Sequence, residues 1–368
     1  MSTTFQTIPT IDLSLLSSPS SPDPPTLLSL RHALIDVGFL YITNHGIPQS
    51  VIDDLVEHVL PSLFAMDEED KRAVALENSP HFLGYSSFGS ENTAGNVDRR
   101  EQFEFATELT ATWVEGMSLC ERLRGPNQWP KNNDPRIRQI IQKYITSLTN
   151  LGTRFLDLVA QALDLSPGTF QPFLSDQHRL KLVHYPPGGT ESTNTNSNNQ
   201  GVGPHKDSSG WWTFLLQASP PEVRGLQVLN KAGSWIDVPA IPGTFVVNIG
   251  QAFEVVTGGL CKATTHRVII SGNRERYSVP FFQGVRRDLT KAEAVDTLKD
   301  HFATWRIGVE DGKESESVEG REIDSPFLRG KYDTWGEAQL RTKIRSHRQN
   351  GRTFYNDVYE KYINDHVT

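Results

Sequence analysis

Residues 225–250 read GLQVLNKAGSWIDVPAIPGTFVVNIG. Three runs rich in β-branched and aromatic residues, Leu226–Leu229, Trp235–Val238 and Thr244–Ile249, are separated by Gly, Pro, Asn and Ser. That composition belongs to short strands joined by turns. The rhythm continues outward, with Leu180–Tyr185 and Trp212–Gln217 before the stretch and Thr264–Ile270 and Tyr277–Gln283 after it. Seven or eight strands between His178 and Gly284 predict a sandwich, barrel or jelly roll.

Upstream, Asp134 is a good helix N-cap and Pro135 a good first helical residue. From Ile137, Ile140, Ile141 and Tyr144 to Leu158, Val159 and Ala162 the apolar spacing is three and four, so one long helix should brace the β region. Ile8–Leu13 reads as a short strand, and Ser14–Pro25 as a Ser/Pro-rich loop. Leu27–Val37 reads as a helix ended by Gly38, Phe39–Ile42 as a buried strand, and Pro48–Phe64 as a helix. Gly188–Gly203 is polar and of low complexity, and Glu310–Asp324 is acidic and Gly/Ser-rich; both are expected to be mobile loops. Trp335–Asp365 looks helical, and no internal repeat is visible. The implied regions are 1–130 (mixed helix and strand), 131–177 (bracing helix), 178–290 (β core) and 291–368 (helical extension, a candidate lid).

The chain has 368 residues, 37% hydrophobic and 22% charged. No window approaches 18 uninterrupted apolar residues, which excludes membrane-spanning helices. The opening Met-Ser-Thr-Thr-Phe-Gln has neither a basic cluster nor an apolar run of signal length, so a cytoplasmic location is expected. Cys120 and Cys261 are the two cysteines, too few for a disulfide framework or a four-thiolate zinc site. A net charge of −8 argues against nucleic acid or an anionic membrane surface as partner. A small molecule is the expected partner, and the sequence names no protein partner.

His205-Lys206-Asp207 stands at the start of an expected strand, where residues two apart share a face. His266 lies in another strand, with no cysteine ligand near. Two histidines and one carboxylate on a β scaffold match the facial triad of non-haem Fe(II) oxygenases, which leaves three positions open. Zinc hydrolysis would need one open position and a general base. Arg276 and Ser278 share a face, with Tyr277 pointing the other way. A buried arginine there calls for an anion, and its planar fork suits a carboxylate. Taken alone, each signal is weak, and a surface Arg–Ser pair is the commoner arrangement.

Asn44-His45-Gly46, Gly84-Tyr85, Asp98-Arg99-Arg100-Glu101-Gln102-Phe103, Tyr185-Pro186-Pro187, His205-Lys206-Asp207, Gly225-Leu226-Gln227-Val228, Asn248-Ile249-Gly250, His266-Arg267-Val268 and Arg276-Tyr277-Ser278 occur in one order. Together, over about residues 8–290, they resemble the Fe(II)/2-oxoglutarate-dependent dioxygenases of the isopenicillin-N-synthase-like group. The resemblance implies an α+β, mainly β fold, in which flanking helices surround a double-stranded β-helix, or jelly roll. It also implies Fe(II) held by His205, Asp207 and His266, and 2-oxoglutarate held by Arg276, Ser278 and Tyr185. O2 would be the second co-substrate and ascorbate a stimulant. Tyr85, Phe103, Phe105, Phe214 and Phe282 are the corresponding candidates for the substrate pocket. Phe327, Tyr332 and Trp335, beyond the resemblance, follow the acidic loop and are candidates for a lid, with ordinary packing the commoner role. His45 is read as a turn residue and His184 as pointing away from the site.

The chain departs from the pattern at Val183, where many members have Asn, at Gln251, where many have Asp, and at Lys206, where Thr is frequent. Val183 removes one polar contact to the co-substrate. The resulting expectation is hydroxylation of a small organic molecule with an apolar body, a specialised metabolite or a free amino acid derivative, with succinate and CO2 released. The rivals are an oxidase closing rings or desaturating without 2-oxoglutarate, a non-catalytic small-molecule-binding jelly roll, and a zinc hydrolase.

Overall fold

The computed structural model describes residues 5–16, 22–93, 95–131, 134–187, 199–208, 210–270, 273–305 and 323–365. Its strands are β1 (Thr10–Asp12), β2 (Phe39–Thr43), β3 (Gly84–Ser86), β4 (Asn92–Thr93), β5 (Asn96–Val97), β6 (Glu101–Ala106) and β7 (Arg179–Tyr185). The chain continues with β8 (Gln200–His205), β9 (Gly210–Gln217), β10 (Leu226–Leu229), β11 (Trp235–Asp237), β12 (Phe245–Ile249), β13 (His266–Ile269) and β14 (Arg276–Gly284). An eight-stranded sheet runs β1-β2-β12-β9-β14-β7-β6-β3, and a four-stranded sheet runs β11-β10-β13-β8. The two sheets are the halves of the jelly roll.

Because successive side chains alternate across a strand, the large sheet has two different faces. Leu180, Leu182, Phe103, Phe105, Phe214 and Phe281 belong to the main core, together with the long helix Arg136–Ala162. On the other face, Phe39, Val183, Tyr185 and Val246 pack with Val202, Leu226, Val228 and Val268 of the small sheet. A cavity of about 440 Å³ opens between the sheets.

The long helix forms for the reasons its sequence suggests. Asp134 Oδ1 accepts from the Arg136 backbone N–H (2.9 Å) and Asp134 O from Ile137 N (3.0 Å), satisfying donors that the first turn leaves free. Ile141, Tyr144, Leu148, Leu151 and Phe155 on its inner stripe are buried. Phe155 meets Trp212 edge-on at 5.1 Å and Phe214 at 5.7 Å. Phe155→Ala is therefore expected to cost about 3–5 kcal/mol, read as a lowered denaturant midpoint. An unchanged midpoint would mean that the helix does not brace the sheet.

Most expected elements are present within a residue or two. The polar tract is a correction, because Gln200–Gly203 belongs to β8 and pairs with β13. The rest of the tract over 188–198 and the acidic stretch over 310–322 lie outside the described residues. Strands β3 and β6 were not expected from the sequence. Trp335–Asp365 is helical as expected, as three short helices, Trp335–Ser346, Arg348–Phe354 and Asn356–Ile363.

Candidate metal and anion centre

His205 is the last residue of β8 rather than near the start of a strand, and His266 is the first of β13, directly opposite it in the ladder. Asp207 lies two residues beyond β8, in the turn towards β9. Its Oδ1 is 3.6 Å from His205 Nε2 and 3.6 Å from His266 Nε2, and the three ligand atoms lie within 4.8 Å of one another. His205 Nδ1 contacts Gly203 O (2.8 Å) and His266 Nδ1 contacts Thr264 O (3.1 Å). Both contacts place the ring proton on Nδ1 and leave the Nε2 lone pairs turned towards Asp207, the arrangement of metal-bound histidines.

The remaining oxygen of Asp207 is fully used. Thr213 Oγ1 and Asn248 Nδ2 each donate to Oδ2 at 2.6 Å. Burial opposes ionisation of Asp207, yet the contact with His205, the two adjacent imidazoles and the Thr213 hydroxyl hold it well below the usual carboxylate range. Burial, aided by His205, pushes His266 down to about 4, so its imidazole is neutral, as a metal ligand must be. Two imidazoles and one carboxylate, with no thiolate, fit an Fe(II) ion with open positions.

Arg276 and Ser278 sit on β14 opposite Tyr185 and Val183 of β7, and both are buried. Arg276 Nη2 donates to Gln217 Oε1 (3.2 Å), its guanidinium lies 5.0 Å from the Tyr185 ring, and Nη1 is buried with no hydrogen-bond partner. Ser278 Oγ is 3.5 Å from Tyr185 OH. A buried guanidinium with an unmet N–H facing the cavity is suited to a carboxylate. Tyr277 points away as expected, stacking on His184, which bonds Glu101 and Glu275. His45 Nδ1 accepts from Ile47 N (3.2 Å) as a turn residue would.

The expected substrate pocket needs correction. Phe282 lines the cavity, whereas Tyr85, Phe103, Phe105 and Phe214 do not. They lie in the main core because strand parity turns them to the other face of the sheet, where Phe214 meets Phe155 of the long helix, Phe103 meets Phe64 and Phe105 meets Trp129. Phe327, Tyr332 and Trp335 are also buried in packing, at 2%, 3% and 1% exposure. The cavity wall beside the triad is instead charged, with Glu91, Arg100, Glu104, Arg179 and Lys181 joined by Lys343 and His347 of the C-terminal region. Glu104 is paired with Arg179 Nη1 and Lys343 Nζ, both at 2.6 Å. Burial works against the Glu104 charge, but Lys343, Lys181 and Arg179 keep it ionised. Sequence reading missed these groups, although the alternation in Glu101–Ala106 and Arg179–Tyr185 carries a signal for a polar face.

Departures from the family pattern have structural roles. Gln251 Nε2 donates to Asp324 O (2.8 Å) while its backbone N–H donates to Asp207 O (2.8 Å). Lys206 Nζ turns to Glu254 Oε2 at 3.7 Å.

Comparison with known proteins agrees with this geometry. Residues 8–132 match the family model of the non-haem dioxygenase in morphine synthesis N-terminal region, and 177–285 that of the 2OG-Fe(II) oxygenase superfamily. The chain is 39% identical over 352 residues to the 2-oxoglutarate-dependent dioxygenase frbJ of Dothideomycetidae sp. (strain 11243), covering 93% of this chain and 90% of that one. It is 32% identical over 314 residues to a homoarginine-6-hydroxylase of Glycine max, covering 81% and 91%. In fold it is similar to full-length Neurospora crassa T7H, crystallised with alpha-KG and thymine, with a TM-score of 0.64 at 24% identity over 76% of this chain and 86% of that one.

Proposed function

The chain belongs to the 2OG-Fe(II) oxygenase superfamily and is an Fe(II)- and 2-oxoglutarate-dependent dioxygenase of small molecules, and from that premise we propose that it hydroxylates a polar substrate of amino-acid type. His205, Asp207 and His266 would hold the iron, and Arg276, Ser278 and Tyr185 the distal carboxylate of 2-oxoglutarate. The observation that carries the second assignment is the buried, unbonded Nη1 of Arg276, which has no carboxylate partner among the described residues. When bound, iron with 2-oxoglutarate and O2 supplies the oxidising chemistry, with succinate and CO2 as co-products.

The protein's own residues supply the positioning. Thr213 and Asn248 fix the plane of Asp207, and the carbonyls of Gly203 and Thr264 fix the two imidazoles. Residues 178–290 would form the oxygenase core, supported by 1–130 and 131–177. Within 291–368, the helix Trp335–Ser346 would wall the substrate end rather than act as a lid. The polar substrate class rests on the charged wall, and it agrees with the Glycine max relative, whose name gives homoarginine as substrate. We place the enzyme in the cytoplasm, on its two buried free thiols. Among the described residues no helix is long and apolar enough to cross a membrane.

The test is a panel of α-amino acids and apolar heterocycles incubated with Fe(II), 2-oxoglutarate and O2. Succinate equimolar with a hydroxylated amino acid is expected. Oxidised product without succinate would refute the co-substrate assignment, and turnover of apolar compounds alone would refute the polar substrate class.

A further inference from the structure

We propose that Lys181 and Lys343 form the recognition site for a carboxylate on the substrate. This rests on reading the cavity as the oxygenase's substrate site. Strand register places Lys181 on the cavity wall away from the co-substrate clamp, and Lys343 of the helix Trp335–Ser346 joins it there at Glu104. On β7, Lys181, Val183 and Tyr185 share a face, and Tyr185 pairs with Arg276. Lys181 is four residues from that pair, roughly 13 Å along the strand. Thr213, which holds Asp207, pairs with Phe282, and Phe282 pairs with Arg179. Two strand spacings of about 4.8 Å therefore separate the residue that holds the metal ligand from the charged wall, roughly 10 Å in all. A small molecule fits that span, and 2-oxoglutarate bound between Arg276 and the triad would leave the wall free.

The charge on the wall is unbalanced. Arg100, Arg179, Lys181 and Lys343 face the carboxylates of Asp98, Glu91 and Glu104, which leaves one positive charge over. Arg287 has its own partner in Glu121 (3.0 Å), and burial holds His347 neutral by pushing it down to about 4. Glu104 has a 0% exposed side chain, whereas Lys181 and Lys343 are 17% and 16% exposed. Glu104 also lines the cavity, but its Oε1 is already held by Arg179 and Lys343, so the more exposed lysines are the groups that a ligand meets.

Lys181 is the least satisfied of these groups. Its Nζ is 3.8 Å from Glu104 Oε2 and 4.0 Å from Glu91 Oε2, beyond hydrogen-bond reach, so its three donors are available to a ligand. Lys343 comes from the helix Trp335–Ser346, and burial pushes its pKa down to about 8 in spite of Glu104, which an arriving anion would reverse. A substrate carboxylate would balance the wall and accept from both ammonium groups.

Calorimetry on the anaerobic Fe(II)–2-oxoglutarate enzyme tests this with L-norleucine, L-lysine and their carboxamides. The acids are expected to bind at least about tenfold more tightly than the amides. Lys181→Met should bring the acids down to the level of the amides, a loss of about ten- to a hundredfold, and Lys181→Arg should recover part of it. Measuring 2-oxoglutarate affinity in each variant checks that the fold persists. Amides binding as well as acids, or an acid preference that survives both Lys181→Met and Lys343→Met, would overturn the proposal. If none of the four compounds binds, the carboxylate site is refuted. The polar-substrate reading falls with it only if the enzyme also releases equimolar succinate with an uncharged apolar compound.

Discussion

Asp207→Ala is expected to abolish succinate formation and high-affinity Fe(II) binding together. The substitution removes the anionic member of a three-ligand set, and among the described residues no other His, Cys, Asp or Glu cluster is arranged to hold a metal. It also leaves Thr213 Oγ1 and Asn248 Nδ2, which both donate to Asp207 Oδ2 at 2.6 Å, without their acceptor. That adds a stability cost of about 1–3 kcal/mol for each buried polar group left unpaired. Asp207→Glu should fail as well, because one extra methylene shifts the carboxylate by far more than the roughly 0.5 Å such sites tolerate. Asn248→Ala keeps all three ligands but frees Asp207 to rotate, so Fe(II) affinity should fall about 10–100-fold. Anaerobic iron titration and succinate release are the measurements. Near-native turnover in Asp207→Ala would remove this residue from the ligand set.

How much of this site was legible in the sequence depended on what each signal measures. The β core could be read because its strands are bounded by Gly, Pro and Asn, and the long helix because its apolar stripe keeps one period over 27 residues. His205, Asp207 and His266 were found by residue type and order, although Asp207 lies past the strand end and not on its face. Strand β8 was hidden because Gln200–Gly203 follows a polar tract and resembles it in composition. The pocket aromatics were misplaced for a different reason. Phe214 stands next to Thr213, and Phe103 next to Glu104, so parity turns the aromatic residues to the main core and the polar ones to the cavity. Alternating polar and apolar residues usually mark a face in water; here the polar face of β6 and β7 lines an interior. Lys343 was beyond reach, since its contact with Glu104 joins residues 239 apart in sequence.

Arg276→Ala is expected to weaken 2-oxoglutarate binding by at least about ten- to a hundredfold, the equivalent of one charged hydrogen bond of roughly 1.5–3 kcal/mol. The geometry favours the upper part of that range. Gln217 occupies Nη2 and the Tyr185 ring lies 5.0 Å from the guanidinium, so the fork is already oriented before the ligand arrives and little entropy is lost on binding. Burial pushes the Arg276 pKa down and Tyr185 pushes it back up, but a guanidinium remains charged at neutral pH. Opposite Ser278 stands Val183, so no amide from that position backs up the clamp. Arg276→Lys keeps the charge and loses the two-pronged contact, and it should recover only part of the affinity. Ser278→Ala removes a neutral donor 3.5 Å from Tyr185 OH and should cost about 1 kcal/mol. Titration of 2-oxoglutarate at fixed Fe(II), with iron binding measured separately, gives all three values. If Arg276→Ala left 2-oxoglutarate affinity unchanged and weakened substrate binding instead, the clamp would have to be assigned to the substrate's own carboxylate.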